Sequence, residues 1–344
     1  MGSSFIFADP DRYESTLVAI VKGGFNPLPA NTDILSGDKT INDGFGDITL
    51  YTDPKAAFAN TSNLPFNANY YGIVFSTEDE NGNIVPQHRI RTADDIVVLS
   101  SVIEISPVII TGFMSDASGG DGNYEYMQFM ATRDIDFSAT PFSVVVTNNA
   151  GASSPSGFPA KGWATGSDAL PKTNSRTFKF NLSSGFAAKG SFFYVGGASK
   201  LINGSESTSI SGSNWIRAFD YTKTDGDGFG NKTSGLFANS GNASGFAVFE
   251  GTNVTADSKP LDVIFVGGGG SLFSAGPPAL GYRIPNNDFY DIIDPITLQA
   301  QPFYRSGTNT LSYNYNGGQG YFYRLGGVYN PALGRWVQAR SQNT

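Results

Sequence analysis

The sequence contains no cysteine and a single histidine. Without cysteine there is no disulfide, no thiolate metal site and no cysteine nucleophile. The one histidine, His88 in PQHRIR, is too few for a His-rich zinc centre and has no G-x-S-x-G partner for serine catalysis. It reads as an exposed strand residue. No apolar run approaches the roughly 18 residues that a membrane-spanning helix needs. Charge is scarce as well: 15% of residues are charged, and 22 bases against 30 acids leave a net charge of −8. Nucleic acid and anionic membranes, which select basic surfaces, are therefore disfavoured as partners, and cations are favoured. The start, MGSSFIFADPDRY, lacks a charged n-region and a long h-region, so a secretion signal is missing or has been cut away. A Gly/Ser/Thr/Asn-rich chain without cysteine fits an extracellular or cell-surface protein whose signal peptide has been removed.

What is present points to strands. Hydrophobic residues make up 40% of the 344, and 3 Trp, 16 Tyr, 27 Phe, 42 Gly and 18 Pro punctuate the chain. Aromatics and turn formers with little charge are the composition of an all-β protein. The length suits more than one domain.

Residues 15–22, STLVAIVK, form an apolar β-branched run that ends at Gly23-Gly24. Residues 47–52 alternate, with Ile48 and Leu50 on one face, and 70–77 give a further strand. Between them 53–59, DPKAAFA, read as a short helix with Asp53 as N-cap and Pro54 at its first position. Asn81-Gly82 predicts a type I′ hairpin turn into a strand over 83–91, and 95–100 close a first domain near residue 105.

Pro107 opens the second domain. Its predicted strands cover 108–114, 124–131, 142–148, 177–182, 191–195, 215–219, 245–250 and 261–266. With no long amphipathic helix to supply crossovers, this spacing suggests a sandwich rather than a parallel sheet. A loop over 149–174 is long enough to be functional. In the tail, YFYRLGGVYN and GRWVQAR read as two strands joined at NPALG that pair back on a sheet. The expected division is 1–105 for an N-terminal β-sandwich, 106–294 for a second sandwich, and 295–344 for a strand-forming tail.

Residues 124–129, YEYMQF, follow the strand VIITGFM and the loop SDASGGDGN. This succession resembles the lamin-tail domain, an immunoglobulin-like β-sandwich, whose opening is an apolar strand, a variable loop and an aromatic-Glu-aromatic-apolar-Glu-Leu strand. Glu125 matches the first acidic position, Gln128 stands at the second, and Gly112 stands where the first strand often carries Glu. FSVVVTNNAG from Phe142 and FFYVGG with the following KLING are similar to such domains in secreted proteins of Bacteroidetes-type bacteria. The resemblance covers roughly 106–294 and implies a non-catalytic module for surface display, adhesion or attachment to other domains. The missing acids shift the reading from chemistry toward scaffold.

Chemistry-bearing candidates are few. In DYTKTDGDGFGN, Asp225, Asp227 and Asn231 lie in a Gly-rich loop of the kind that offers calcium its oxygens, although no bidentate Glu or flanking helices follow. The alternative is a solvated Asp-Gly turn. Asp116, Asp121 and Asn123 make a weaker calcium candidate in the opening loop. Glu125 sits inside the predicted strand, where a period of two turns it to solvent. Trp163 in the long loop, with Tyr282 and Tyr290, forms the candidate stacking platform for a glycan, while Trp215 and Trp336 more often pack in a core. Gly267–Gly270 lack the Lys-Ser/Thr and helix of a phosphate loop.

No catalytic residue is assigned, and the chain is expected not to be an enzyme. The expected function is a structural or adhesive surface protein that self-associates or binds other surface proteins. A glycan-binding surface protein is the binding-class alternative. A carboxylate-dependent glycoside hydrolase is the enzyme-class alternative, but the scattered acids form no visible pair.

Overall fold

The computed structural model describes residues 2–100, 105–147, 177–228, 230, 232, 244–254, 258, 260–266, 273–274, 280–281, 320–332 and 334–343. The chain begins with two short helices, α1 (Ser3–Ala8) and α2 (Pro10–Tyr13). Six strands follow: β1 (Leu17–Phe25), β2 (Gly37–Asn42), β3 (Asp47–Thr52), β4 (Asn67–Glu78), β5 (Ile84–Arg89) and β6 (Ile96–Ser100). They form one sheet in the order β1-β2-β3-β5-β4-β6, and β1 also pairs with β4, so the sheet curls round and closes on itself. The two faces of this half are thus one continuous sheet around a core that includes Ile20, Phe25, Ile41, Leu50, Tyr70 and Val74. Helix α1 adds Ile6 to that core. Buried Asp43 anchors the helix by accepting the Ser3 amide at 2.7 Å and its hydroxyl at 2.6 Å.

Three local expectations are corrected. Gly23-Gly24 do not end β1 but lie within it, beside a register shift between Ile20 and Gly23 that lets the strand bend from β4 toward β2. Residues 53–61 are consecutive turns, closed by Ala56→Asp53, Ala59→Ala56 and Thr61→Phe58 backbone bonds, rather than a helix. These bonds span three residues, so no α-helical ladder starts, although Asp53 does accept the Lys55 amide. The β4–β5 loop has five residues rather than two: the Asp79 carboxylate accepts the Asn81 and Asn83 amides, and only Gly82 of the Asn-Gly pair takes a left-handed φ, at 81°.

The second half contains β7 (Val108–Met114), β8 (Tyr126–Ala131), β9 (Ile135–Asp136), β10 (Phe142–Thr147), β11 (Thr177–Leu182), β12 (Phe186–Ala187), β13 (Phe192–Gly197), β14 (Trp215–Phe219), β15 (Ser244–Glu250) and β16 (Asp262–Val266). A two-residue pair, β17 (Phe273–Ser274) and β18 (Leu280–Gly281), and a long hairpin, β19 (Phe322–Asn330) and β20 (Arg335–Asn343), complete it. One layer is β11-β10-β15-β16; the other is β14-β13-β8-β7-β19-β20. The chain is therefore all-β, with sandwich layers closing over one core built from both sheets. Phe113 illustrates the closure: its ring stacks on Tyr323 from the hairpin at 5.1 Å and on Phe246 from the opposite layer at 6.3 Å. Although most ladders are antiparallel, β3–β5 and β13–β14 are parallel.

The hairpin β19–β20 belongs to this core. It pairs with β7 through Phe322↔Met114, Tyr323↔Phe113 and Arg324↔Gly112, and it buries Tyr323, Leu325 and Trp336. At Gly112 a Cβ would stand 2.5 Å from the Phe322 ring and 2.9 Å from the Tyr323 carbonyl, so a Glu at this position is excluded by packing.

Below Gly112 the β7–β19 pairing stops, and polar side chains take over the unpaired, buried strand edge. Asp262, the first residue of β16, accepts the Ile110 amide at 2.7 Å and its neighbour Val263's amide at 2.8 Å. Arg340 of β20 donates to the Ile110 carbonyl at 2.9 Å and grips Asp262 with both terminal nitrogens at 2.8 and 2.9 Å. Both side chains are completely buried. Burial pushes the Asp262 carboxyl up, against the pull of Arg340 and the two amides.

Removing one partner of such a buried pair strands the other charge, at a cost of about 3–5 kcal/mol, whereas replacing both by apolar residues can be nearly neutral. Arg340→Leu is accordingly expected to destabilise the fold by about 3–5 kcal/mol. Adding Asp262→Leu should recover much of that loss in a urea-denaturation double-mutant cycle. Additive single-mutant losses would contradict the coupling.

Candidate functional site

The Gly-rich loop after β14 is the most polar of the described candidates, but its acids diverge. Asp227 is taken by Arg217: the carboxylate forms a close pair with the guanidinium and also accepts the Asn181 amide at 2.7 Å. Burial raises this carboxyl, yet the Arg217 and Asn181 hydrogen bonds outweigh it and hold Asp227 below the usual carboxylate range. The Asp227 amide donates to the Lys179 carbonyl. This residue therefore docks the loop onto β11 and β14, and the guanidinium occupies the position where a cation would meet it. Asp225 turns away and accepts the Lys232 amide at 2.6 Å. Asn231 lies outside the described residues.

The second calcium candidate is likewise dispersed. Asn123 accepts the Ser199 hydroxyl at 2.7 Å, Asp121 accepts the Tyr124 amide through its backbone carbonyl, and Asp116 is buried with its carbonyl bonded to the Gly320 amide. Among the described residues no group of three or more His, Asp or Glu side chains is placed to hold a metal ion.

Glu125 is a correction. It is fully buried rather than solvent-facing, because β8 starts at Tyr126 and the period of two does not reach back to it. Its backbone carbonyl accepts the Gly197 amide. Burial, then the Glu125 and Asp121 carboxylates, push the Tyr221 hydroxyl far up, which keeps it protonated beneath the loop.

Gln128 shows why an amide stands at this position of β8. Its Oε1 accepts the Thr111 hydroxyl at 3.1 Å while its Nε2 donates to the Tyr194 hydroxyl at 2.9 Å, and a carboxylate has no such donor.

Trp163, Tyr282 and Tyr290 lie outside the described residues. An aromatic group that sequence reasoning did not assemble lies on the outer face of the six-stranded sheet. Trp215 and Tyr194 sit side by side with ring centres 5.3 Å apart, and Tyr126 meets them at 5.5 and 5.9 Å before stacking on Phe322 at 5.8 Å. Trp215 is half-buried with its Nε1 donating to Ile210, while Phe192, on the same face of β13, is exposed. Only the cross-strand register β8-β13-β14 brings these residues together, and the spacing along the chain carries no trace of it. Trp336, by contrast, is a buried core residue.

The lone histidine is the clearest reversal. His88 is fully buried, pointing into the N-terminal core rather than to solvent, because the parity of β5 puts it beside Leu50 and Val74. Nε2 lies 3.1 Å from the Tyr70 carbonyl and so carries the proton, while Nδ1 has no hydrogen-bond partner among the described residues. Gly72 makes the space, since a Cβ there would stand 2.8 Å from Nε2 and 2.5 Å from the Arg89 carbonyl. Burial depresses the imidazole from 6.5 to about 4.

No family model matches the chain, and no curated protein matches it. Among solved structures, a DUF4876 family protein from Bacteroides thetaiotaomicron VPI-5482 is similar at 11% identity and a TM-score of 0.31. The similarity covers 82% of this chain and 90% of that one. So low a score assigns neither fold nor activity.

His88 makes stability depend on pH in a defined window. Below pH 6.5 the unfolded chain gains a proton that the folded chain refuses until about pH 4. Stability therefore falls as pH falls through that interval, by a total of about 3 kcal/mol. In chemical denaturation from pH 7 to 4, His88→Gln should flatten this part of the profile, and an unchanged slope would contradict the assignment.

Proposed function

We propose that the chain is a non-catalytic structural or adhesive surface protein acting outside the cell, its second half a lamin-tail-like sandwich. The observation that carries this reading is where the strong polar groups are spent. Asp262 and Arg340 seal a strand edge, Asp227 and Arg217 dock a loop, Asp43 anchors α1, and His88 is a neutral core residue. Charges committed to holding strands together serve a scaffold. With β20 as the outermost strand of its sheet among the described residues, self-association or pairing with another surface protein has a natural edge.

Calcium belongs to this reading as a proposal for the Asp225 loop, where Asp227 is already held by Arg217. A melting temperature raised by calcium and lowered by EGTA supports it, and one indifferent to both removes it. The second reading is a glycan-binding protein, favoured by the outer-face aromatics around Trp215 and Tyr194. Specific glycan-array binding lost on Trp215→Ala or Trp163→Ala would select it over the structural role.

Because Tyr323, Leu325 and Arg340 are core members, deleting residues 321–344 is expected to abolish cooperative unfolding of the second half. It should also abolish any assembly seen by electron microscopy. A truncated chain that melts and assembles like the whole one would refute the scaffold role of the tail.

A further inference from the structure

The β4–β5 hairpin carries two complementary features at its two ends. On the outer face of the barrel-like half, the Arg89 guanidinium carbon lies 4.5 Å from the Phe75 ring centre and 5.3 Å from that of Tyr51. Its Nε donates to Gln87 Oε1 at 2.7 Å, and Gln87 in turn donates to Asp38 at 2.8 Å. The fork is thus held in place by its rings and its Nε, while its terminal nitrogens make no hydrogen bond or ion pair among the described residues. A guanidinium oriented in this way is prepared for a carboxylate. Beside it lies apolar surface: Leu17 is 55% exposed and pairs across the sheet with half-buried Ile73, which itself pairs with Arg89. Aromatic rings and an arginine are residue types enriched at protein interfaces.

At the other end of the hairpin the Asp79 carboxylate accepts the Asn81 and Asn83 amides, each at 2.9 Å, and the Asn83 side chain at 3.1 Å. These bonds stiffen the turn, leaving Glu80 exposed on it and Glu78 exposed at the end of β4. Ile73 pairs with Arg89 and Glu78 with Ile84, so the acidic tip lies five residues, about 17 Å, beyond the arginine along the strand.

We propose that a second copy of this chain docks hairpin against hairpin about a twofold axis, the acidic tip of each copy reaching Arg89 of the other. Positive and negative ends on one rigid element are self-complementary only when two copies run antiparallel, which is the isologous arrangement of a symmetric dimer. Leu17 and Ile73 lie level with Arg89 across the sheet and add apolar surface beside each charge contact. Asp38, already paired with Gln87, flanks the contact and discourages acids that approach from that side. The inference rests on the reading of the chain as a self-associating surface protein and names one contact for it.

The test is sedimentation of the full chain up to about 1 mM. Wild type should dimerise. Arg89→Glu alone, or Glu78→Lys with Glu80→Lys, should weaken dimerisation at least about tenfold. Mixing the two variants should restore a heterodimer, because both charge contacts are then again opposite in sign. The lysine variants lie at exposed positions at the end of β4 and on its turn, and provide an independent arm if Arg89→Glu does not fold. Two folded variants that stay monomeric when mixed would overturn the contact. If wild type assembles with an affinity that Arg89→Glu leaves untouched, the hairpin contact is overturned while the assembling reading stands. A wild type that stays monomeric overturns both the contact and self-association, leaving adhesion to other proteins.

Discussion

One buried ion pair decides how the second half of this protein closes. Strand β7 lies in the middle of its sheet, yet β19 pairs with only one end of it, and a register shift between Ile110 and Gly112 breaks its ladder with β8. Beyond that point the Ile110 amide and carbonyl face a place where, among the described residues, no strand pairs with them. Asp262 from one layer and Arg340 from the other supply an acceptor and a donor there, and their charges cancel against each other. A buried backbone group without a partner is expensive, so an edge in the interior has to be capped. Arg340 reaches it because β20 is irregular opposite Gly327, which aims the side chain inward.

The same logic runs through the remaining polar groups. Asp227 fastens a loop, Gln128 bridges Thr111 and Tyr194, and Asp95 completes a capping box with Thr92 ahead of β6. His88 contributes shape and one hydrogen bond to a core from which its charge is excluded. In each case a residue type often associated with chemistry serves to hold backbone segments together. Packing of the same kind gives a physical reason for the residues at two positions of β7 and β8. Gly112 lies under the Phe322 ring, and Gln128 must donate as well as accept.

The strands themselves were legible. The predicted segments 47–52, 108–114, 177–182 and 215–219 match the observed strands residue for residue, because β-branched and aromatic runs bounded by Gly, Asn and Ser identify a strand wherever it ends up. Strand order was not legible. Nothing local to residues 322–330 says that they will lie beside β7, more than 200 positions earlier, or that β13 and β14 run parallel. The inward or outward sense of isolated polar residues was hidden for a related reason. His88 lies between Gln87 and Arg89 and Glu125 between Tyr124 and Tyr126, and these neighbours do not set their orientation, which depends on which strands flank them. Asp227 read as a metal ligand because its partner Arg217 approaches from a strand ten residues away, a pairing that loop composition does not contain.

The central claim is that the C-terminal hairpin, β7 and β16 open as one unit because Asp262 and Arg340 join them. Native-state hydrogen exchange of the Ile110 amide, which donates to Asp262, tests this most directly. The account predicts that Ile110 exchanges only with global unfolding, with the same free energy and denaturant dependence as the amides of Tyr323 and Leu325 in β19. If the hairpin amides exchanged through a separate, lower-energy opening while Ile110 stayed protected, the ion pair would not be what unites the two layers.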